Sequence, residues 1–296
     1  SSVHHDVQSV MIAADSACYL AKDSGRNRIQ IYHPGDSDMA QLHGMLDWVS
    51  RITAALEEER FVLHYQKIDP AVAGVLESRQ HVEVLIRMLD ENGVLVPPGS
   101  FIPSAERYNL MPTIDRWVIS NLFSQFGRLE NRDNLLIAIN LSGASLGDEH
   151  IYQYIRTQFE EHGVPYESIC FEITETAAIA NINKARRFID KLRSLGCRFA
   201  LDDFGSGLSS FAYLKNLHID FLKIDGSFVY DIDEDEIDLA MVDAINRIGK
   251  VMNIRTIAEY VENDAIRQRL CSLGVDLVQG FGVHKPESLS LLLRDE

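Results

Sequence analysis

The stretch RFALDDFGSG, residues 198–207, runs from apolar side chains into two adjacent acids, Asp202 and Asp203. A short apolar run of this kind, bounded by glycines, is typical of a buried strand. A carboxylate at the end of such a strand is costly unless a metal, a polar partner or a substrate satisfies it. The stretch therefore predicts a strand that ends at a functional site.

Six further apolar runs also carry an acid, an amide or a lysine, most of them at their ends. They are HVEVLIRM with Glu83, LLIAIN with Asn140, CFEITE with Glu172 and Glu175, FLKID with Lys223 and Asp225, TIAE with Glu259, and DLVQG with Gln279. Successive side chains of a strand alternate between its two faces, so Glu83 and Arg87 share one face. One polar strand end would carry little weight, whereas a series of them indicates one shared site.

Segments with helical spacing separate these runs. They cover residues 114–126, 151–162, 184–195, 237–252 and 264–273, and Gly196 and Gly274 follow two of them where helix ends are expected. Repeated strand–helix units predict an α/β fold, either a doubly wound sheet or a TIM-like (β/α)8 barrel. The many polar strand ends favour the barrel, because all of its strand ends converge on one mouth.

Composition limits the function classes. The 28 basic and 44 acidic residues give a net charge of −16, which disfavours a long nucleic acid as partner but allows a small phosphorylated ligand bridged by divalent cations. No apolar stretch is long enough to cross a bilayer, and no secretory signal begins the chain. Four cysteines without paired spacing indicate reduced thiols. These features predict a cytoplasmic chain that makes no membrane contact itself; any tethering would come from regions outside it.

Each motif also has a simpler structural interpretation. Asn140 alone is typical of a turn, the pair Asp202-Asp203 could cap a helix, and Lys223 with Asp225 could form a structural ion pair. The ten histidines show no HExxH arrangement, which disfavours a zinc site. The occurrence of all these motifs in one chain favours the shared functional site.

The motifs together resemble the EAL domain family, bacterial phosphodiesterases of cyclic di-GMP, over about residues 40–293. The matching segments are Glu83-Val-Leu with Arg87, Asn140-Leu-Ser, Glu172-Ile-Thr-Glu, Asp202-Asp-Phe-Gly, Leu222-Lys-Ile-Asp, Ala258-Glu with Val261-Glu, and Gln279-Gly-Phe. The resemblance implies a barrel whose first strand is antiparallel to the others. The sequence departs from the family at Val84, Met88, Lys67, Leu208 and Tyr260, and none of these departures removes a metal ligand.

Residues 14–32 resemble the last helix and strand of a GGDEF domain, without its catalytic signature. We therefore expect a GGDEF remnant in residues 1–33, a linker or helix in 34–58 and the EAL domain in 59–293. Upstream GGDEF and sensory domains in a longer protein are expected partners, and the family resemblance implies a homodimer.

The resemblance also implies roles for individual residues. Two ions, Mg²⁺ or Mn²⁺, would be held by Glu83, Asn140, Glu172 and Asp202 and by Asp202, Asp203, Asp225 and Glu259. Lys223 would orient the attacking water, with Gln279 helping to hold it; with Glu83 and Glu259 these form the expected catalytic set. Gln66, Leu85, Arg87 and Pro286 would contact the substrate, and Glu175, Gly205 and Ser206 would steady the loop after Asp203. The implied reaction is hydrolysis of cyclic di-GMP to linear pGpG, and the alternative is a receptor of the same fold that does not cleave it.

Overall fold

The computed structural model describes residues 37–75, 79–126, 134–206 and 211–293. The segment that resembles a GGDEF domain and Leu208 lie outside these residues. The described residues form two compact units, of which the first comprises 37–61 and 88–109 and the second the remainder. No helix in the described ranges is both long and apolar enough to span a membrane.

The elements alternate much as the sequence predicts. The strands are β1 (Phe61–Pro70), β2 (Gln80–Leu89), β3 (Leu95–Val96), β4 (Leu135–Asn140), β5 (Ile169–Thr174), β6 (Arg198–Phe204), β7 (Phe221–Ile224), β8 (Arg255–Ala258), β9 (Leu277–Val278) and β10 (Glu287–Ser288). The helices are α1 (Ser37–Glu57), α2 (Pro98–Arg107), α3 (Met111–Phe126), α4 (Glu149–His162), α5 (Glu175–Ala180), α6 (Ile182–Arg193), α7 (Glu236–Met252), α8 (Asp264–Leu273) and α9 (Leu289–Leu292).

In the first unit, α1 and α2 accompany the short strand β3, which pairs antiparallel with the end of β2 at Met88 and Leu89. Phe61 and Phe101 meet edge to face with ring centroids 5.7 Å apart. Arg60 donates a hydrogen bond from Nη1 to the Leu89 carbonyl at 2.7 Å. This unit therefore has an aromatic contact and a backbone anchor of its own.

The second unit is a closed eight-stranded barrel. Strands β2, β4, β5, β6, β7, β8 and β9 are parallel neighbours in that order. Strand β1 pairs antiparallel with β9 and also pairs with β2, which closes the ring. The TIM-like barrel with an antiparallel first strand is confirmed, and the doubly wound sheet is wrong.

The barrel interior explains how the polar strand ends come together. A buried apolar layer fills it, made of Ile68, Leu136, Ala138, Cys170, Ala200, Phe221, Ile257 and Leu277. Moving two residues further along each parallel strand keeps the same face and reaches the carboxyl-terminal mouth. From the members of this layer, that step leads to Asn140, Glu172, Asp202, Lys223, Glu259 and Gln279. The apolar layer is therefore the floor of the site.

Helix ends follow the expected chemistry with one exception. Asp235 accepts a hydrogen bond from the Ile237 N–H at 2.7 Å and begins α7, and Gly274 ends α8 with φ 76°. Helix α6, however, ends at Arg193 with Ser194 as its C-cap, so the predicted end at Leu195 beside Gly196 is wrong. Gly196 instead has φ 117° in the turn before β6, a conformation that L side chains rarely adopt.

Candidate active site

The centre of the barrel mouth is the ammonium group of Lys223, which is only 1% exposed. Its Nζ lies 2.7 Å from Glu172 Oε2 and 2.9 Å from Glu259 Oε1. The same atom lies 3.2 Å from Glu83 Oε2 and 3.2 Å from Asp202 Oδ1. Four carboxylates, carried by β2, β5, β6 and the residue that follows β8, therefore surround one cation.

Glu83 is held by amides as well as by the lysine. Asn140 Nδ2 donates to Glu83 Oε1 at 2.5 Å, and Gln279 Nε2 donates to Glu83 Oε2 at 2.7 Å. Gln279 also donates to Gln66 Oε1 at 3.1 Å, and Gln66 donates to the His284 carbonyl at 2.8 Å. A continuous polar chain thus runs from the end of β4 across Glu83 to the antiparallel strand β1.

The protonation of the cluster follows from burial and from the surplus of acids. Burial lowers the pKa of Lys223, but the surrounding carboxylates outweigh it and raise that pKa well above its ordinary value. Burial acts to raise the pKa of Glu83, but Lys223 and the amide hydrogen bonds hold it below its ordinary value. Burial raises the pKa of Glu172 well above its ordinary value and that of Glu259 to about 8. One ammonium therefore does not balance the charge of the four carboxylates around it.

Two observations indicate that these surplus carboxylates are suited to binding divalent cations. Glu172 Oε1 is buried without a hydrogen-bond partner in the described structure. Ligand oxygens of Asp202, Asp203 and Glu259 all lie within 4.8 Å of one another. Hard carboxylate and amide oxygens are the ligands that Mg²⁺ and Mn²⁺ prefer. The residues present therefore suit such ions.

A backbone irregularity brings Asp202 and Asp203 to the same mouth. Leu201 pairs with Leu222 and Phe204 pairs with Ile224, so β6 has one more residue than β7 over this interval. Asp203 has φ 54°, a left-handed conformation that aspartate tolerates better than most residues. In a regular strand, neighbouring side chains would point to opposite faces. The bulge lets both acids serve one site.

Asp225 lies near this acidic edge. It lines a cavity of about 460 Å³ together with Asp203, Gly226, Ser227, Tyr230, Glu259 and Tyr260. Its Oδ1 accepts a hydrogen bond from the Ser227 N–H at 2.8 Å and caps a short 3₁₀ helix. Asp225 is thus near the acidic edge but outside the group formed by Asp202, Asp203 and Glu259.

The predicted substrate-contacting residues lie on the side of β1 and β2. Arg87 is half-buried and donates from Nη1 to the Ile86 carbonyl at 2.9 Å. Burial and the charge of Arg87 lower the pKa of His64, which is also hydrogen-bonded to the Pro286 backbone. The structure therefore groups Arg87 with Pro286 through His64, a residue that the sequence analysis did not select. Leu85 lies on the same strand face as Arg87 and is partly exposed.

The loop after β6 is anchored by Glu175, which is 3% exposed. Its Oε2 accepts a hydrogen bond from the Gly205 N–H at 3.0 Å, and its Oε1 accepts one from the Tyr213 hydroxyl at 2.6 Å. Ser206 Oγ donates to the Asp203 carbonyl at 2.8 Å. Glu175, Gly205 and Ser206 are therefore brought together beside the acidic edge, and Tyr213 is an addition that sequence motifs did not indicate.

One further polar group was missed. Asp115 is buried in α3 and binds the turn that follows β4 through Ser142 and Ser145. Its only signal in the sequence is an acid on the apolar face of a helix, between Ile114 and Val118.

The EAL domain family profile matches residues 49–286. The cyclic di-GMP phosphodiesterase PdeB of Shewanella oneidensis is 40% identical over 286 residues, which are 96% of this chain and 33% of PdeB. The cyclic di-GMP phosphodiesterase PdeA of Borreliella burgdorferi is 34% identical over 239 residues, 80% of this chain and 35% of PdeA. The chain thus spans about a third of the length of these curated relatives.

A solved structure is similar in fold as well. The PaMucR phosphodiesterase in complex with c-di-GMP has a TM-score of 0.77 and 31% sequence identity. The match covers 83% of this chain and 99% of the solved chain.

Proposed function

The chain belongs to the EAL domain family, and we propose that it is a phosphodiesterase that hydrolyses cyclic di-GMP to linear pGpG. The observation that carries the proposal is the buried Lys223 ammonium in contact with four carboxylates from separate strands of the barrel. Burying these charges is costly, and a role in binding cations and a phosphodiester would explain why they are there. The names of PdeB and PdeA support the same substrate.

We propose two divalent ions, Mg²⁺ or Mn²⁺, as cofactors. The first would be held by Glu83, Asn140, Glu172 and Asp202, and the second by Asp202, Asp203, Asp225 and Glu259. Ions bound there would supply an activated water and would neutralise charge on the phosphoryl oxygens. The unpartnered Glu172 Oε1 and the grouping of Asp202, Asp203 and Glu259 support this division.

Lys223 is assigned to positioning the attacking water rather than to removing its proton. Its raised pKa keeps it protonated at neutral pH, so it donates hydrogen bonds. Gln279 supports the same water, and Glu83 and Glu259 complete the catalytic set. Arg87 is assigned to a substrate phosphate because its guanidinium binds such groups in a fixed geometry.

Gln66, Leu85 and Pro286 are assigned to the border of the nucleotide. Glu175, with Gly205 and Ser206, is assigned to holding the loop beside the second ion. We propose the EAL domain in residues 59–293, preceded by a helical linker in 34–58. Upstream GGDEF and sensory domains, a homodimer and a cytoplasmic location belong to the same proposal.

The alternative function is a cyclic di-GMP receptor of the same fold that does not cleave its ligand. Such a receptor would not need every ligand and the lysine together. The contacts of Lys223 with four carboxylates, and of Asn140 with one of them, support hydrolysis over binding alone.

The test is chromatography of cyclic di-GMP incubated with the purified chain and Mg²⁺ or Mn²⁺. The variants Glu83→Ala and Lys223→Ala are compared with Lys191→Ala, a surface lysine paired with Glu149 at 2.6 Å. We expect linear pGpG from the parent and from Lys191→Ala but not from the other two. Intact dinucleotide that binds tightly in calorimetry would identify a receptor, and neither binding nor cleavage would exclude this substrate.

A further inference from the structure

A buried aspartate supports the turn that follows β4. Asp115 Oδ2 accepts hydrogen bonds from Ser142 Oγ at 2.6 Å, from the Ser142 N–H at 3.2 Å and from Ser145 Oγ at 2.7 Å. Asp115 is 4% exposed and Ser145 is fully buried. Three donors from one turn therefore converge on a single carboxylate oxygen.

The supported turn begins two residues after Asn140. The Leu141 N–H donates to the Glu172 carbonyl at 2.8 Å, so β5 holds the chain on one side and Asp115 holds it on the other. The Asn140 side chain itself is exposed and contacts Glu83 at 2.5 Å. The backbone that carries Asn140 is therefore held on both sides, and Glu83 holds the end of its side chain.

The position of Asp115 is unfavourable for packing alone. It lies on the buried face of α3, among Ile114, Val118, Ile119 and Leu122. A buried carboxylate is costly even when it is hydrogen-bonded, and an apolar residue on this face would avoid that cost. All three hydrogen bonds that Asp115 accepts come from the turn next to the predicted ligand Asn140, and none of the three comes from helix α3.

We propose that Asp115 is a positioning residue that fixes the turn at Ser142 and Ser145 and thereby directs the Asn140 side chain toward the first divalent ion. This inference rests on the proposed function. Outer partners that orient metal ligands typically change metal affinity by about 10–100-fold when they are removed. Loss of Asp115 should therefore weaken metal binding without removing a ligand.

The test is a titration of the purified chain with Mn²⁺, with free Mn²⁺ measured by electron paramagnetic resonance. For Asp115→Ala we expect the dissociation constant for Mn²⁺ to rise about 10-fold, and for Asp115→Asn, which keeps an acceptor oxygen, about 3-fold. The kcat for cyclic di-GMP at saturating Mn²⁺ should recover toward the parent value.

The matched control is Asp276→Ala. Asp276 also accepts hydrogen bonds from one residue's N–H and hydroxyl, those of Thr256 at 2.9 Å and 3.2 Å, but at the amino-terminal part of β8. It should lower the melting temperature and leave the Mn²⁺ dissociation constant unchanged. Should Asp115→Ala not fold, Ser142→Ala and Asp115→Asn carry the test.

The variant Asn140→Ala distinguishes the positioning role of Asp115 from the metal-binding role of Asn140. If Asn140→Ala weakens Mn²⁺ binding and the Asp115 variants do not, the positioning role is overturned while the metal site stands. If Asn140→Ala binds Mn²⁺ as the parent does, the assigned ligand set is wrong and the role of Asp115 is overturned with it.

Discussion

The polar groups of the barrel mouth form two sets, a closed half and an open half, which differ in burial and in the number of close polar partners. In the closed half, Glu83 on β2 and Lys223 on β7 are almost fully buried, bond each other and have further close polar partners. In the open half, at the end of β6, Asp203 is exposed, has a left-handed backbone conformation and lines a cavity. The closed half is therefore a buried network of charged groups, whereas the open half is an exposed segment with an unusual backbone conformation.

This difference predicts a division of labour. Changes in the closed half should alter both stability and activity, because each buried charge there depends on its partners. Changes in the open half should alter activity with little effect on stability, because exposed groups lose little when they are replaced.

The largest effect is expected for Lys223→Met. Without metal, removal of the ammonium leaves the four carboxylates around it uncompensated, and the free energy of unfolding should fall by about 3–5 kcal/mol. Added Mn²⁺ should restore part of that loss, since a cation then replaces the ammonium. Denaturant unfolding with and without Mn²⁺ measures both effects, with Lys191→Met as control. Equal unfolding free energies for the variant and the parent without metal would contradict the closed-half description.

Asp203→Asn should reduce kcat about 100-fold by weakening the second ion site. Its free energy of unfolding should stay within about 0.5 kcal/mol of the parent, because asparagine also tolerates the left-handed backbone at φ 54°. Steady-state kinetics and thermal unfolding check the two statements separately. A large loss of stability would show that the bulge depends on the carboxylate charge.

The pH dependence of the free energy of unfolding tests the protonation of Asp115, which bonds the turn that follows β4. Burial raises the pKa of Asp115 to about 6, although hydrogen bonds from Ser142 and Ser145 act to lower it. The folded state therefore keeps its proton at a higher pH than the unfolded state, whose aspartate titrates near about 4. Asp115 thus lowers the free energy of unfolding as pH rises from about 4 to about 6, by up to roughly 2–3 kcal/mol.

Replacement by asparagine removes this titration. The difference in unfolding free energy between Asp115→Asn and the parent should shift in favour of the variant across that pH interval. Denaturant unfolding at several pH values between 4 and 7 measures it. A difference that does not change with pH would mean that Asp115 titrates as an ordinary aspartate.

The smallest effect is expected for Tyr213→Phe. It removes the hydroxyl that donates to Glu175 at 2.6 Å but leaves the Gly205 N–H bond in place, so kcat should fall about 2–5-fold. Glu175→Ala, which removes both, should lower kcat about 10-fold or more. Unchanged activity in Glu175→Ala would argue against a role of this loop in the open half.

Some features were predicted well because their signals are local. The strand ends at Asn140, Glu172 and Lys223 are short apolar runs with one polar residue, and neighbouring residues suffice to recognise them. Helix α6 was misplaced by two residues at its end, because Gly196 indicated a C-cap where Ser194 fills that role. Glycine preference identifies a left-handed turn but not whether the helix has already ended.

Other features depend on residues far apart in the chain. The contact of Glu175 with Tyr213 and that of Asp115 with Ser142 join different elements, and no sequence motif connects them. The bulge at Asp203 depends on the pairing of β6 with β7 and cannot be read from β6 alone. Asp225 shows the same limit, because its strand position matches the motif while its carboxylate caps a short helix.

The sequence by itself favoured the barrel and determined which strands carry polar residues and which of those residues share a face in a regular strand, because alternation along a strand is a local property. Only the tertiary structure decided that the lysine lies at the centre of the carboxylates, that a bulge brings both Asp202 and Asp203 to one mouth, and that Asp115 bonds the turn at Ser142 and Ser145. Those arrangements depend on strand pairing and helix packing, which join residues that the linear sequence separates.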